Sequence, residues 1–190
     1  EISVQGYGQD ILNGDTTPST ADDTDFGSTQ VGGGPLEKPF TIRNTGETTL
    51  LLTSTNPVEI TGDAAGDFTV TTQPSASIGG GQSSTFFIEF APSASGLREA
   101  TVEIANNDSD EGNFTFAIKG NAQEPQEIAV SGNGVDILAG DNTPSTTDGT
   151  DFGGAVVGGS SVPITYTIEN SGEVQLNFNV ENTIETGRVN

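Results

Sequence analysis

The stretch "STFFIEF", Ser84 to Phe90, sets Phe86, Ile88 and Phe90 at every second position, with Phe87 and Glu89 between them. A period of two belongs to an extended strand with one side against a core, because successive side chains point to opposite faces. "FTFAIKG", Phe114 to Gly120, does the same with Phe114, Phe116 and Ile118. Outward from these, "EISV", "FTIRN", "TLLLT", "DFTVTT" and "REATVEIA" are further short β-branched or aromatic runs, separated by turn clusters such as "IGGGQ" and "NNDSDEG". No window carries a helical stripe. Seven or more short strands at this spacing predict an all-β chain built as antiparallel β-sandwiches of immunoglobulin type. The Trp and Cys of antibody domains are absent.

The chain repeats itself. "GDTTPSTADDTDFG" from Gly14 returns as "GDNTPSTTDGTDFG" from Gly140, and Glu1 to Glu47 aligns without a gap on Glu127 to Glu173 at an offset of 126, with more than half of the positions identical. A repeat of that length is an ordinary domain. The expected organisation is a first immunoglobulin-like repeat over 1–120, a polar, Pro-containing linker over 121–126, and the front half of a second repeat over 127–190. The expectation is therefore of tandem sandwiches, the second incomplete. Its Ile128, Val130, Phe152, Val162, Ile164, Tyr166, Ile168, Leu176 and Phe178 would face a core. Uncovered, they would forfeit more than the whole stability of a typical domain, so another polypeptide segment is expected to complete this half, either an absent stretch of the same protein or strands donated by a neighbouring subunit.

Composition removes whole classes of function. There is no His, Cys, Met or Trp, so Ser-His-Asp and Cys-His nucleophiles, Cys/His zinc sites and disulfides are all excluded. The formal net charge is −22 with five basic residues, which repels nucleic acid and anionic membrane surfaces. No stretch is apolar enough to span a bilayer. Such a charge destabilises a compact chain unless salt or cations screen it, which suits a salty or divalent-rich exterior. The chain opens at Glu1 and not at Met, and reads as a processed or excised piece of an exported protein at the cell surface or outside the cell.

"TDFGSTQVGG" (Thr24 to Gly33), "FTIRNTGETTL" (Phe40 to Leu50) and "FAPSASGLREATVEIANNDSDEGNFTFAIKG" (Phe90 to Gly120) together resemble the repeat of bacterial choice-of-anchor D proteins. Those repeats belong to the wider hydin-like (ASH) and major-sperm-protein group of immunoglobulin-like sandwiches. The resemblance implies an exported, multi-repeat surface or matrix protein and no enzymatic activity. In the same residues, Phe26 and Phe152 would enter a core just after an Asp turn, and "NTGE" and "NSGE" would make tight turns between strands.

Two loops carry the candidate chemistry. Asp10, Asp15, Asp22 and Asp25 recur as Asp136, Asp141, Asp148 and Asp151, while Asp23 becomes Gly149. Carboxylates, Thr hydroxyls and free carbonyls are the hard oxygen ligands that calcium takes in irregular geometry, so Asp15, Asp22, Asp25, Asp141, Asp148 and Asp151 are candidate ligands. The competing reading, weighed ahead of it, is that Asp and Thr cap turns through side-chain to backbone hydrogen bonds. "NNDSDEG" offers Asn106, Asp108 and Asp110 in a partial resemblance to a calcium loop, but Glu111 stands where such a loop needs Gly. Paired carboxylates for glycoside hydrolysis, a glycosylation site at Asn113 and a phosphate cradle at Gly32–Gly34 are weaker readings. The expected function is a non-catalytic structural or adhesive repeat module that self-assembles or meets neighbouring repeats. The alternative is a ligand- or carbohydrate-binding accessory module of a larger secreted enzyme.

Overall fold

The alternating runs are strands. In the computed structural model, which describes residues 1–159, 163–172 and 174–177, the first unit holds β1 (Ile2–Gly6), β2 (Gln9–Ile11), β3 (Asp25–Gln30), β4 (Leu36–Asn44), β5 (Leu50–Leu51) and β6 (Glu59–Thr61). A 3-10 turn (Ala65–Asp67) follows, then β7 (Phe68–Thr72), β8 (Ser77–Ile78), β9 (Ser83–Phe90), β10 (Gly96–Ala105) and β11 (Asn113–Gln123). One sheet has the order β2-β1-β4-β9-β7 and the other β3-β11-β10-β6, with β5 and β8 as a separate ribbon. Pairing is antiparallel except between β3 and β11, which run parallel. The exception follows from the route of the chain, which leaves the first sheet after β2 and enters the second beside its final strand.

Burial follows the alternation. Phe86, Ile88 and Phe90 of β9 are fully buried, and Phe114, Phe116 and Ile118 of β11 meet them with Val4, Phe40, Ile42, Val102 and Ile104 in one core. Phe40 stacks on Phe86 with ring centroids 5.4 Å apart, and Phe68 on Phe90 at 4.8 Å. Phe26 enters just after the Asp turn, as the sequence predicts, edge-on to Phe68 at 5.5 Å. Polar groups that the core encloses are satisfied: Asn44 donates from Nδ2 to Thr48 O and Ile78 O at 2.7 and 2.8 Å and accepts from Gly46 N–H at 3.1 Å, closing the "NTGE" turn. Asp67 accepts from Ser93 N–H and Oγ–H at 2.9 and 2.6 Å and from Arg98 Nε–H at 2.5 Å. Burial alone would raise its pKa, but the Ser93 and Arg98 donors outweigh that and hold it below the usual carboxylate value.

β11 runs on to Gln123, through the first residues of the stretch read as a linker, and the two compact units divide between Glu124 and Pro125. The second unit holds β12 (Ile128–Gly132), β13 (Val135–Asp136) and β14 (Tyr166–Asn170) in the order β13-β12-β14. Its registers copy those of the first unit at the same offset: Ile2 pairs with Asn44 and Ile128 with Asn170, Val4 with Ile42 and Val130 with Ile168. The "NSGE" turn repeats too, with Asn170 Nδ2 donating to Val174 O at 3.0 Å.

The expected core of this second unit is not formed among the described residues. Phe152 is 73% exposed where Phe26 is 3% exposed. Ile128, Tyr166 and Ile168 are also exposed, Val130, Ile164 and Leu176 are half-buried, and Val162 and Phe178 lie outside the described residues. The reason is the set of ring partners. Phe26 packs on Phe40, Phe68 and Phe90, and Phe40 becomes Tyr166, itself 39% exposed, in the second copy.

The two phenylalanines therefore differ in energetic weight. Phe26→Ala is expected to cost about 3 to 5 kcal/mol through lost burial and the cavity left behind. Phe152→Ala should stay within about 0.5 kcal/mol, as an exposed substitution does. Urea unfolding of the two variants measures both, and equal losses would contradict the burial difference.

Candidate functional site

The loop between β2 and β3 carries the chain from one sheet to the other with a strand partner only at its start, so its later amides need side-chain acceptors. Asp15 Oδ1 accepts from Thr17 N–H at 2.8 Å and Thr17 Oγ1–H at 2.6 Å. Asp22 Oδ1 accepts from Thr24 N–H at 3.1 Å and Thr24 Oγ1–H at 2.6 Å, and Asp25 Oδ1 from Gly27 N–H at 2.9 Å. Ser19 N–H closes the loop onto Thr24 Oγ1 at 2.8 Å. Each carboxylate thus caps the residue two places on, which is what Asp and Thr at this spacing do in turns. The second copy repeats the arrangement with Asp141 on Thr143, Asp148 on Thr150 and Asp151 on Gly153, at 2.6 to 2.9 Å. In Asp141, the Thr143 hydroxyl and N–H hold the carboxyl pKa below its ordinary value.

Both ends of the first loop are clamped. Gly14 N–H donates to Thr115 O and Ala117 N–H to Asp15 O, each at 2.7 Å, fixing the start on β11. At the far end Lys38 Nζ lies 2.8 Å from the buried Asp23, and Lys119 Nζ lies 3.4 Å from Asp25. The loop passes so close over β1 that a Cβ on Gly6 would overlap the Asp22 carbonyl, and one on Gly132 would overlap that of Asp148. Asp10 accepts from Gln5 Nε2 at 2.6 Å on the β1–β2 hairpin, apart from this loop.

One group of carboxylates does converge among the described residues, and it is not the repeated loop. Carboxylate oxygens of Glu1, Asp108, Asp110 and Glu111 lie within 4.8 Å of one another, beside a surface cavity of about 250 Å³ lined also by Thr48, Thr49 and Asn107. Asp108 Oδ2 accepts from Ile2 N–H at 2.8 Å with Glu1 N at 3.2 Å. Burial would raise its pKa, but these two donors bring it below the usual value. Glu111 Oε2 is buried with no hydrogen-bond partner, and burial, with the Asp110, Glu1 and Asp108 charges added, pushes its pKa up. Asn106 is a turn former: Oδ1 accepts from Asp108 N–H at 2.8 Å, and Nδ2 donates to Ile104 O and Glu111 O at 3.0 and 2.8 Å. Sequence reading finds Asp108 and Asp110 but misses Glu1 and Glu111. Glu1 is distant in sequence, and only the packing of the two sheets, which brings the start of β1 to the β10–β11 turn, reveals it.

These features define an immunoglobulin-like sandwich module whose loop carboxylates are structural caps. The description "HYDIN/CFA65/VesB-like, Ig-like domain" matches residues 19–121, just over half of the chain, and the chain belongs to that family. It is similar to a protein of unknown function from Porphyromonas gingivalis W83, at 22% identity and a TM-score of 0.43, over 51% of this chain and 42% of that one. It is similar also to the ASH/PapD-like domain 7 of human CEP192, at 20% identity and a TM-score of 0.40, over 53% of this chain and 80% of that domain. The Vibrio cholerae VesB protease is a third, at 15% identity and a TM-score of 0.38, over 52% of this chain and 29% of that one. No curated protein matches the chain.

If the repeated loop is a set of caps, Asp22→Ala should cost about 1 to 2 kcal/mol through the two hydrogen bonds lost at Thr24. Millimolar CaCl2 and NaCl of equal ionic strength should move the Tm of this variant and the parent alike. A calcium-specific part that Asp22→Ala removes would make the loop a cation site.

Proposed function

We propose that this chain is a non-catalytic structural repeat module of an exported bacterial surface, fibre or matrix protein of the choice-of-anchor D kind. One observation carries the reading: the Asp-rich loop, the natural place for chemistry, is tied to its own backbone in the same way in both copies. Its carboxylates serve shape, and shape repeated along a chain is what a scaffold needs. The net charge of −22 fits an extracellular setting that salt screens. The alternative role, an accessory module on a larger secreted enzyme, is kept open by the VesB name that the family carries. Titration of the chain with a panel of oligosaccharides, followed by amide NMR, separates the two. The scaffold reading expects no saturable shift, and a saturable shift confined to one face would replace it with the accessory-module reading.

A second reading concerns a hard cation at Glu1, Asp108, Asp110 and Glu111. The observation that favours it is the buried, unpartnered Glu111 Oε2 beside three further carboxylates. Calcium would take these oxygens and remove the like-charge repulsion. A carboxyl with a raised folded pKa contributes stability below its unfolded pKa that is lost as pH rises through the folded value. At neutral pH, then, Glu111→Gln is expected to raise the Tm without calcium. Millimolar calcium should raise the parent Tm beyond a matched NaCl control and leave the variant near that control. Equal calcium responses in both would remove Glu111 from any cation site.

A further inference from the structure

The sequence holds two Asn-Gly pairs, Asn13-Gly14 in the first copy and Asn133-Gly134 in the second, at different places in the repeat: Asn13 becomes Ala139, and Asn133 stands where the first copy has Tyr7. Asparagine before glycine has a chemistry of its own, because the glycine has no side chain to keep its amide nitrogen away from the neighbouring carboxamide. Both asparagines are exposed, so access to water does not separate them. Their hydrogen bonds do.

Asn13 is pinned at both reacting groups. Its Oδ1 accepts from Thr115 N–H at 3.0 Å, and Gly14 N–H donates to Thr115 O at 2.7 Å. The next residue is held as well, since Asp15 O accepts from Ala117 N–H at 2.7 Å. For the Gly14 nitrogen to give up its proton and reach the Asn13 carboxamide, the loop would have to peel off β11.

Asn133 and Gly134 are the two-residue tip of the β12–β13 hairpin, between the paired Gly132 and Val135. Their φ values of 52° and 76° are the two positive angles of a type I′ turn, the pattern that favours Asn-Gly. Among the described residues neither the Gly134 N–H nor the Asn133 carboxamide makes a hydrogen bond. Behind the tip the ladder is short, Gly132 with Val135 and Ser131 with Asp136, closed by Ile137 N–H on Val130 O. The same tip is open in the finished first copy, where Tyr7 and Gly8 have φ of 48° and 74° and Tyr7 is 77% exposed.

We propose that Asn133 is a site of spontaneous deamidation and that Asn13 is protected from it by its bonds to Thr115. The Gly134 nitrogen bonds to Asn133 Cγ, the Cγ–Nδ2 bond breaks, and ammonia leaves with the proton that the Gly134 nitrogen gave up. Water then opens the five-membered imide. Attack at Cγ leaves aspartate, and attack at the main-chain carbonyl leaves isoaspartate, in which the chain continues through the former side chain. The sum takes in one water, releases one ammonia and turns a neutral side chain into a carboxylate, with nothing oxidised or reduced. Aspartate keeps the turn, because Asp also adopts a positive φ. Isoaspartate lengthens the main chain by a methylene inside a two-residue turn, and so disturbs the pairing of β13 on β12.

Peptide mapping by mass spectrometry of the 190-residue chain, held at mildly alkaline pH and sampled over time, measures both sites. The Asn133 peptide is expected to convert from amide to acid, with isoaspartate among its products, at least about tenfold faster than the Asn13 peptide. In concentrated urea the two rates should converge. Tyr7→Asn places a third Asn-Gly in a turn of the same geometry and is expected to convert at the rate of Asn133. An Asn133 that stays unconverted, or converts no faster than Asn13 in the folded chain, overturns the proposal. So does a rate difference that persists in urea, since the Thr115 bonds would then not be its cause. A Tyr7→Asn chain that is silent at position 7 while Asn133 reacts would also overturn it, because the open turn would not be what permits the reaction.

Discussion

A chain that leaves one sheet of a sandwich and enters the other has to cross the end of the core with little neighbouring strand to receive its amides. In the first unit that crossing is the loop from Leu12 to Thr24, and everything after it depends on its landing β3 beside β11. Asp15 and Asp22 settle N–H groups of the loop locally and Asp25 that of Gly27 at the start of β3, while Lys38 and Lys119 hold the landing to β4 and β11. The landing then decides the core, because Phe26 follows directly and fits among Phe40, Phe68 and Phe90. Gly6 lets the crossing lie close enough, since any side chain there would meet the Asp22 carbonyl.

The long strands were legible because half-burial writes a period of two into the sequence. Phe86, Ile88 and Phe90, and again Phe114, Phe116 and Ile118, declare their face without knowledge of their partners. The short strands β2, β6 and β8 were not legible, since two or three residues cannot show a period and exist only because a neighbour pairs with them. The parallel β3–β11 pair escaped for a related reason: direction is set by the route of the crossing loop, not by side-chain pattern. In the sites, Asp–x–Thr spacing was readable as local capping. The meeting of Glu1 with Asp108, Asp110 and Glu111 was not, because no local pattern encodes a contact between two sheets across a hundred residues.

The two copies also show what the crossing requires and what it tolerates. Asp23 has a φ of 63°, a left-handed backbone that L residues other than Asn and Asp seldom adopt, and its counterpart Gly149 has a φ of 75°. The conformation survives the exchange. The ion pair does not, since Lys38 becomes Ile164, whose Cγ2 lies where a side chain on residue 149 would begin. Loss of the carboxylate alone would leave a half-buried ammonium without its partner, and loss of the lysine alone would strand a buried carboxylate. Changing both at once replaces a polar clasp with an apolar contact and keeps the turn.

Charge is placed by the same logic. Of five basic residues, Lys38, Arg98 and Lys119 lie on Asp23, Asp67 and Asp25, where the carboxylates are buried or half-buried and an ion pair is least screened. Most of the 27 acidic residues are thereby left to water and salt. Their mutual repulsion opposes compaction within a unit and also opposes the approach of one such unit to another, with a range of about 8 Å at physiological ionic strength. Any contact between such surfaces must therefore be made by apolar area and backbone pairing strong enough to overcome that repulsion, or be bridged by cations.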